Sequence, residues 1–517
     1  LKTNDPVKYN ELKEDRNDLL EKIKLINHND IAKLFWNIHP NAYAYNVATG
    51  WFVLNKRNIW DTCDEKQPEK LKNHIADTFQ DLLTEALEAV LIKYAKICKG
   101  LIGKQDELEK KEKEKKEIVK LINKAYVMCG SSEFCNGVIQ FLREKYNVEK
   151  LEDIMGTNPY LFAFENGTCF DLKELKSRPI VPTDYICLTT GYAMPVKSNA
   201  TARKQINDFI YGLFEDADVQ SYLLKVLSTC LFGGNRFEEF YVFTGSGGNG
   251  KGVISELLHS VFGGYYYSVS VNLFTKPIDK TDQPVPALVE ARNKRIMMTA
   301  ESEADDELRQ MLLKKMVGGD IIEARTLHSK HIFRYKASYK PIFQMNAIPK
   351  LKNLDEAMKR RMRIINFPFQ FRPVLVGDKD RLADPDVKEI FCKSDEWRNE
   401  FLLMLWETYQ TIANDKSLPS PQAVREATED YFDANNPIKF WLEEYFVITK
   451  NNKDRIQATD LLRMYGEDTS SEKINKQHFS QGMNFNGIEK KKITGREHYC
   501  GIRRKTQEER GGGFSSE

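Results

Sequence analysis

The chain has 517 residues, 41% of them apolar, which is enough to bury several cores and predicts roughly three or four domains. Its 77 lysines and arginines nearly balance 75 aspartates and glutamates, which excludes a chain-wide polyanion surface and confines any nucleic-acid contact to a local patch. Nine scattered cysteines with no C-x-x-C pair point to reduced intracellular thiols rather than a zinc site or disulfide framework, and no apolar run is long enough to span a membrane.

Apolar periodicity predicts helices over residues 15–26 and 71–95. Between them, the aromatic stretch 41–54 reads as a β-hairpin. Residues 104–120 alternate lysine and glutamate at helical spacing and read as a solvated helix. A second hairpin is expected over 161–172, with Asn166-Gly167 as its turn. Residues 202–231 turn helical, and from 240 to 371 strands and helices alternate, as in an α/β nucleotide-binding domain. A helix over 389–413, a Pro/Ser-rich break at 417–421 and a last block over 436–505 follow. In that block three helices and a hairpin suggest a winged-helix-like module, with Lys490–Lys492, Arg496 and Arg503–Lys505 available to phosphates. Residues 506–517 read as a disordered tail, and the start at Leu1 rather than Met suggests a fragment lacking an N-terminal part.

The most specific signal is Phe240-Tyr241-Val242-Phe243-Thr244 running into Gly245-Ser246-Gly247-Gly248-Asn249-Gly250-Lys251-Gly252. Strand, glycine-rich loop and helix in that order are the context in which G-x-x-x-x-G-K binds phosphate. Backbone N–H groups converge on phosphate oxygens, the helix N-terminus favours the negative charge, and Lys251 would reach the β and γ phosphates. The position that normally carries the Mg²⁺-binding hydroxyl is Gly252, for which Ser255 or Thr244 could compensate. Downstream, an apolar strand ends in Glu301 and Glu303, with Glu301 first choice for ordering Mg²⁺ or polarising water and Glu303 second. Another strand ends in Asn346, whose amide can meet the γ-phosphate and attacking water. Arg360 and Arg361 precede the apolar run 364–367, and either could bridge phosphate oxygens of a neighbouring subunit's nucleotide.

Loop, acid strand, Asn strand and arginines fall within fewer than 120 residues. That order resembles superfamily 3 helicases, hexameric AAA+ motors of DNA viruses. The wording Gly318-Gly319-Asp320-Ile321-Ile322-Glu323-Ala324-Arg325 and Arg360-Arg361-Met362-Arg363-Ile364-Ile365-Asn366-Phe367 is similar more narrowly to poxvirus-type primase-helicases of nucleocytoplasmic large DNA viruses. The resemblance implies an α/β fold with an AAA+ core over 236–372. Before it would lie an α+β domain over 1–200 and a helical collar over 201–235, and after it a helical connector over 373–435 and the winged-helix-like module. It implies ATP and Mg²⁺ as cofactors, a homo-hexamer, and single-stranded and forked DNA gripped by a hairpin carrying Arg325, His328, Lys330 and His331. A primase domain in the parent chain, replication factors as partners and a place in the host cytoplasm or viral replication site are implied as well. Two rival readings stay open: a nucleotide-stabilised DNA-binding or loader assembly with weak turnover, and a P-loop ATPase that moves duplex DNA without separating it.

Overall fold

Where the sequence alternates apolar strand and amphipathic helix, it folds that way in the computed structural model, which describes residues 27–47, 49–63, 68–276, 284–299, 307–327, 331–351, 354–389, 391–469, 475–506 and 509–510. The helix expected at 15–26 lies outside these residues. By internal contacts the chain forms two units, Leu1–Asn158 with Ile180–Cys187, and Pro159–Pro179 with Leu188–Glu517.

In the first unit the aromatic stretch forms strands Tyr43–Asn46 and Gly50–Leu54, extended by a third antiparallel strand, Trp60–Thr62. Helices Glu69–Gly100 and Gln105–Cys129 pair lengthwise, and Ser131 caps helix Ser132–Lys145 by accepting from Phe134 N. Phe35, Ile75, Phe79, Ile122 and Val138 close the core between them. The lysine/glutamate segment is largely solvated, and its buried residues, Ile122, Ala125 and Cys129, fall in its last third.

The second unit starts with the hairpin Leu161–Ala163/Thr168–Asp171 and its third strand Lys176–Pro179. Sequence grouped this hairpin with the preceding residues, yet its aromatic face packs into the second unit. Phe162 meets Phe262 and Tyr265, and Phe170 stacks on Trp406 at 4.3 Å. The helical stretch breaks into α1 (Ala200–Leu213) and α2 (Ala217–Ser228), because Asp216 caps a new start by accepting from Asp218 N and Val219 N.

A five-stranded parallel sheet follows. Its strands are β1 (Phe240–Thr244), β2 (Tyr266–Val269), β3 (Ile296–Thr299), β6 (Lys340–Gln344) and β7 (Met362–Asn366), in spatial order β7-β1-β6-β3-β2. Helix α3 (Lys251–Phe262) follows β1. An antiparallel hairpin, β4 (Ile321–Ala324) with β5 (Phe333–Lys336), is inserted between β3 and β6. Such a parallel sheet must be covered on both faces, and its strands are accordingly apolar throughout, as Phe240–Phe243 and Ile296–Met298 are. Helix α4 (Asp395–Ile412) packs against α1, α2 and α3, with Trp397, Phe401 and Leu405 buried. The last block holds helices Pro437–Tyr445, Ala458–Thr469 and Lys476–Phe485. Their partners are the strand pair Phe446–Ile448/Ile502–Arg504 and a three-stranded sheet from Arg455–Gln457, Lys490–Ile493 and Arg496–Cys500.

Candidate nucleotide site and its arginine face

Topology explains where a ligand can sit. β1 runs parallel between β6 and β7, and the crevice beyond strand C-termini at such a change of direction is where open α/β sheets bind ligands. The loop after β1 folds over itself there. Gly245, Gly248 and Gly250 take φ of +134°, +73° and +85°. A Cβ on Gly245 would meet the Phe367 carbonyl oxygen at 2.4 Å, and one on Gly250 would meet Leu213 Cδ2 at 2.4 Å, so both positions need glycine for approach and for backbone conformation. The Phe371 N–H donates to the Gly248 carbonyl (2.7 Å), pinning the loop from the segment beyond β7.

At the start of α3, Lys251 is only 4% exposed, and its ammonium donates to Gly245 O (2.8 Å), Asn249 Oδ1 (3.0 Å) and Asn346 Oδ1 (3.1 Å). The structure therefore brings Lys251, Asn249 and Asn346 together across 95 residues of sequence, because β6 lies beside β1. An open cleft of about 890 Å³ lies against this cluster. Gly247–Val253, Gln344 and Asn346 form its polar end; Phe209 of α1, Phe371, Phe391 and Trp397 form an apolar wall. The wall was not singled out from the sequence.

Backbone donors, a helix start and a buried lysine fit a triphosphate, and the cleft is large enough for a nucleoside. For Mg²⁺ the chain offers less. Gly252 has no side chain to offer a metal, although a Cβ there would meet nothing within 4 Å. Of the two compensating hydroxyls, Ser255 is paired with Tyr266 OH (3.0 Å) and Thr244 donates to Asn346 O (3.3 Å). Among the described residues no group of three or more His, Cys, Asp or Glu could hold a metal. Glu301 and Glu303 lie outside the described residues.

Arg360 and Arg361 stand at the beginning of β7, about 13 Å along the sheet from its phosphate-loop end. Arg361 is mostly buried, donates to the Ala357 carbonyl (3.2 Å) and pairs with Glu238 (2.9 Å); Arg360 is exposed. Both border a cleft of about 690 Å³ that also takes in Arg236, Arg363, Lys416 and Arg425. Arg363 pairs with the buried Glu239 (2.6 Å), which opposes the upward push of burial on that carboxyl.

In the β4–β5 hairpin, Glu323 and Arg334 are direct cross-strand partners joined by an ion pair (2.9 Å). Arg292 lies over the Phe333 ring at 4.5 Å, and His331 meets the same ring edge-on. Arg325 follows β4, while His328 and Lys330 lie outside the described residues. No described helix is long and apolar enough to cross a membrane.

A family model described as "D5 N terminal like" matches residues 32–211. The chain is 29% identical over 467 residues to "Putative helicase L207/L206" of Acanthamoeba polyphaga mimivirus, an alignment covering 88% of this chain and 47% of that protein. It is 25% identical over 511 residues to "Putative helicase 184R" of Invertebrate iridescent virus 6, covering 88% and 51%. "Putative primase C962R" of African swine fever virus (isolate Warthog/Namibia/Wart80/1980) is 21% identical over 470 residues, covering 86% and 47%. The chain thus spans about half the length of the curated relatives it matches. Among solved structures, the C-terminal region of NrS-1 aligns with 60% of this chain and 77% of its own length, at 15% identity and a TM-score of 0.33. The chain is thus similar to the D5 N-terminal-like family over residues 32–211 and, over most of its length, to viral proteins named as putative helicases and primases.

Proposed function

We propose that the chain is the helicase part of a viral primase-helicase: an ATP hydrolase with an AAA+ core of the superfamily 3 type that moves along single-stranded DNA as a hexameric ring. The observation that carries the reading is the Lys251 cluster, in which phosphate loop and Asn346 meet at the end of a parallel sheet beside a cleft of nucleotide size. The Asn-bearing β6 stands between the loop-bearing β1 and β3, which leads towards Glu301 and Glu303, and that order supports the AAA+ assignment. In this reading Lys251 offsets phosphate charge, Glu301 orders Mg²⁺ and water, with Glu303 beside it, and Asn346 contacts the γ-phosphate. Mg²⁺, when bound, would supply charge neutralisation for the phosphates.

The distance of Arg360 and Arg361 from their own loop supports a trans role, which a ring provides. Of the two, exposed Arg360 is the better placed to reach outward, since Arg361 is tied to Glu238 and the Ala357 carbonyl. The hairpin with Arg325, His328, Lys330 and His331 is the DNA-gripping element of this reading, and the last block acts as a winged-helix-like contact to duplex or forked DNA. Replication proteins and a primase domain in the parent chain are the implied partners. Lys251→Ala tests the core claim: it should abolish ATP turnover while leaving the melting temperature within a few degrees, and retained turnover would remove it.

A further inference from the structure

Lys251 reaches its three oxygens from very different supports. The Gly245 carbonyl belongs to a backbone locked against Phe367. Asn249 is 3% exposed, and its amide nitrogen sits 3.5 Å from the Phe367 carbonyl, within 2.5 Å of the place a Cβ on Gly245 would occupy. Asn346, by contrast, is exposed at the tip of β6 and faces the cleft. An ammonium has three N–H donors, so a phosphate oxygen arriving at Lys251 competes with the contacts it already makes, and of these three Asn346 is the exposed one. The two supports anchored beneath the loop cannot move without unmaking it, whereas the Asn346 side chain can turn into the cleft.

We infer that Asn249 is a positioning residue that holds the Lys251 ammonium from beneath the loop through nucleotide binding, while Asn346 is the contact that phosphate displaces. This rests on the phosphate-loop reading and assigns distinct parts within it. Two asparagines that look equivalent around one lysine then have opposite effects on binding. Removing the Asn346 carbonyl frees a donor for phosphate. Altering Asn249 leaves the lysine misplaced or, with a carboxylate there, neutralised by a stronger charge-assisted contact.

The experiment is titration of a fluorescent ATP analogue with Mg²⁺ into the wild type, Asn249→Asp, Asn249→Ala and Asn346→Ala, with steady-state turnover and thermal melting on the same samples. Asn249→Asp is close to isosteric; it gives up the long amide contact to the Phe367 carbonyl but gains a charge-assisted contact to Lys251, so it should melt within a few degrees of wild type while binding the analogue at least tenfold more weakly. Asn249→Ala should raise KM about tenfold with kcat within threefold. Asn346→Ala should bind within threefold of wild type, or more tightly, and lose turnover. Wild-type binding by Asn249→Asp overturns the inference, as does equal weakening by Asn249→Asp and Asn346→Ala. A fall in melting temperature and kcat together in both Asn249 variants would mark Asn249 as a structural residue only. A wild type that binds no analogue would defeat the phosphate-loop reading itself, a separate failure.

Discussion

Replacing Gly252 by serine restores the hydroxyl that phosphate loops usually place beside Mg²⁺, and its consequences can be worked from the loop geometry. The position is exposed, has no left-handed backbone to relieve, and an added Cβ meets nothing within 4 Å. It is the second residue of α3, where serine is favoured over glycine by about 0.5 kcal/mol, so the melting temperature should rise by about 1–2 °C. Mg²⁺ dehydrates reluctantly and keeps several waters, so a water can occupy the place of a serine oxygen at little cost. The half-saturating Mg²⁺ concentration for ATP turnover should therefore fall by less than threefold, about 0.7 kcal/mol, with kcat within twofold. A Mg²⁺ titration at saturating ATP reads this directly. A tenfold fall, about 1.4 kcal/mol, or a comparable rise in kcat would refute the reasoning and show that Gly252 is a defect in metal binding.

Arg360→Ala should cut turnover at least a hundredfold with nucleotide binding intact, whereas Arg361→Ala should chiefly lower stability, by about 1 kcal/mol, because its partner Glu238 is half exposed; equal loss of turnover in both would reassign the trans arginine. Glu400→Ala removes a fully buried carboxylate that accepts from Ser198 Oγ (3.0 Å) and Asn199 N (2.6 Å) and pairs with Arg203. Urea unfolding should show a loss of about 3 kcal/mol, moderated because Arg203 keeps Glu407. Lys340 donates to the carbonyls of Thr229 (2.6 Å), Phe232 (3.3 Å) and Gly234 (2.7 Å), and burial pushes its pKa down to about 8. The folded value lies below the unfolded one, so between pH 8 and about 10.4 the unfolded chain holds more protons and stability rises with pH. The stability of wild type relative to Lys340→Met should grow across that window, on the order of 2–3 kcal/mol, and parallel pH curves would contradict it.

Elements governed by local chemistry were legible in the sequence. Asn166-Gly167 marked its hairpin, the Phe240–Thr244 run and its glycines marked β1 and the loop, and the three helices expected in the terminal block are present, together with more strands than one hairpin. Long-range pairing was not legible. Nothing in the sequence of β6 says that it neighbours β1, and that adjacency delivers Asn346 to Lys251. The buried charges were equally hidden: Glu400, Lys340 and Arg295 carry no periodic signal, and their partners lie about a hundred or more residues away. The split between Arg360 and Arg361 also needed three dimensions, since adjacent arginines differ only in which one meets Glu238. That Asn249 is buried between two glycines of left-handed backbone was not legible either.

The central claim is that the loop at 245–252 hydrolyses ATP to drive movement on a single strand. ATP turnover with and without single-stranded DNA, in wild type and Lys251→Ala side by side, tests it most directly. The account predicts Mg²⁺-dependent turnover that rises several-fold with single-stranded DNA and vanishes in the variant. Turnover that survives Lys251→Ala, or that responds to blunt duplex and not to single strands, would contradict it.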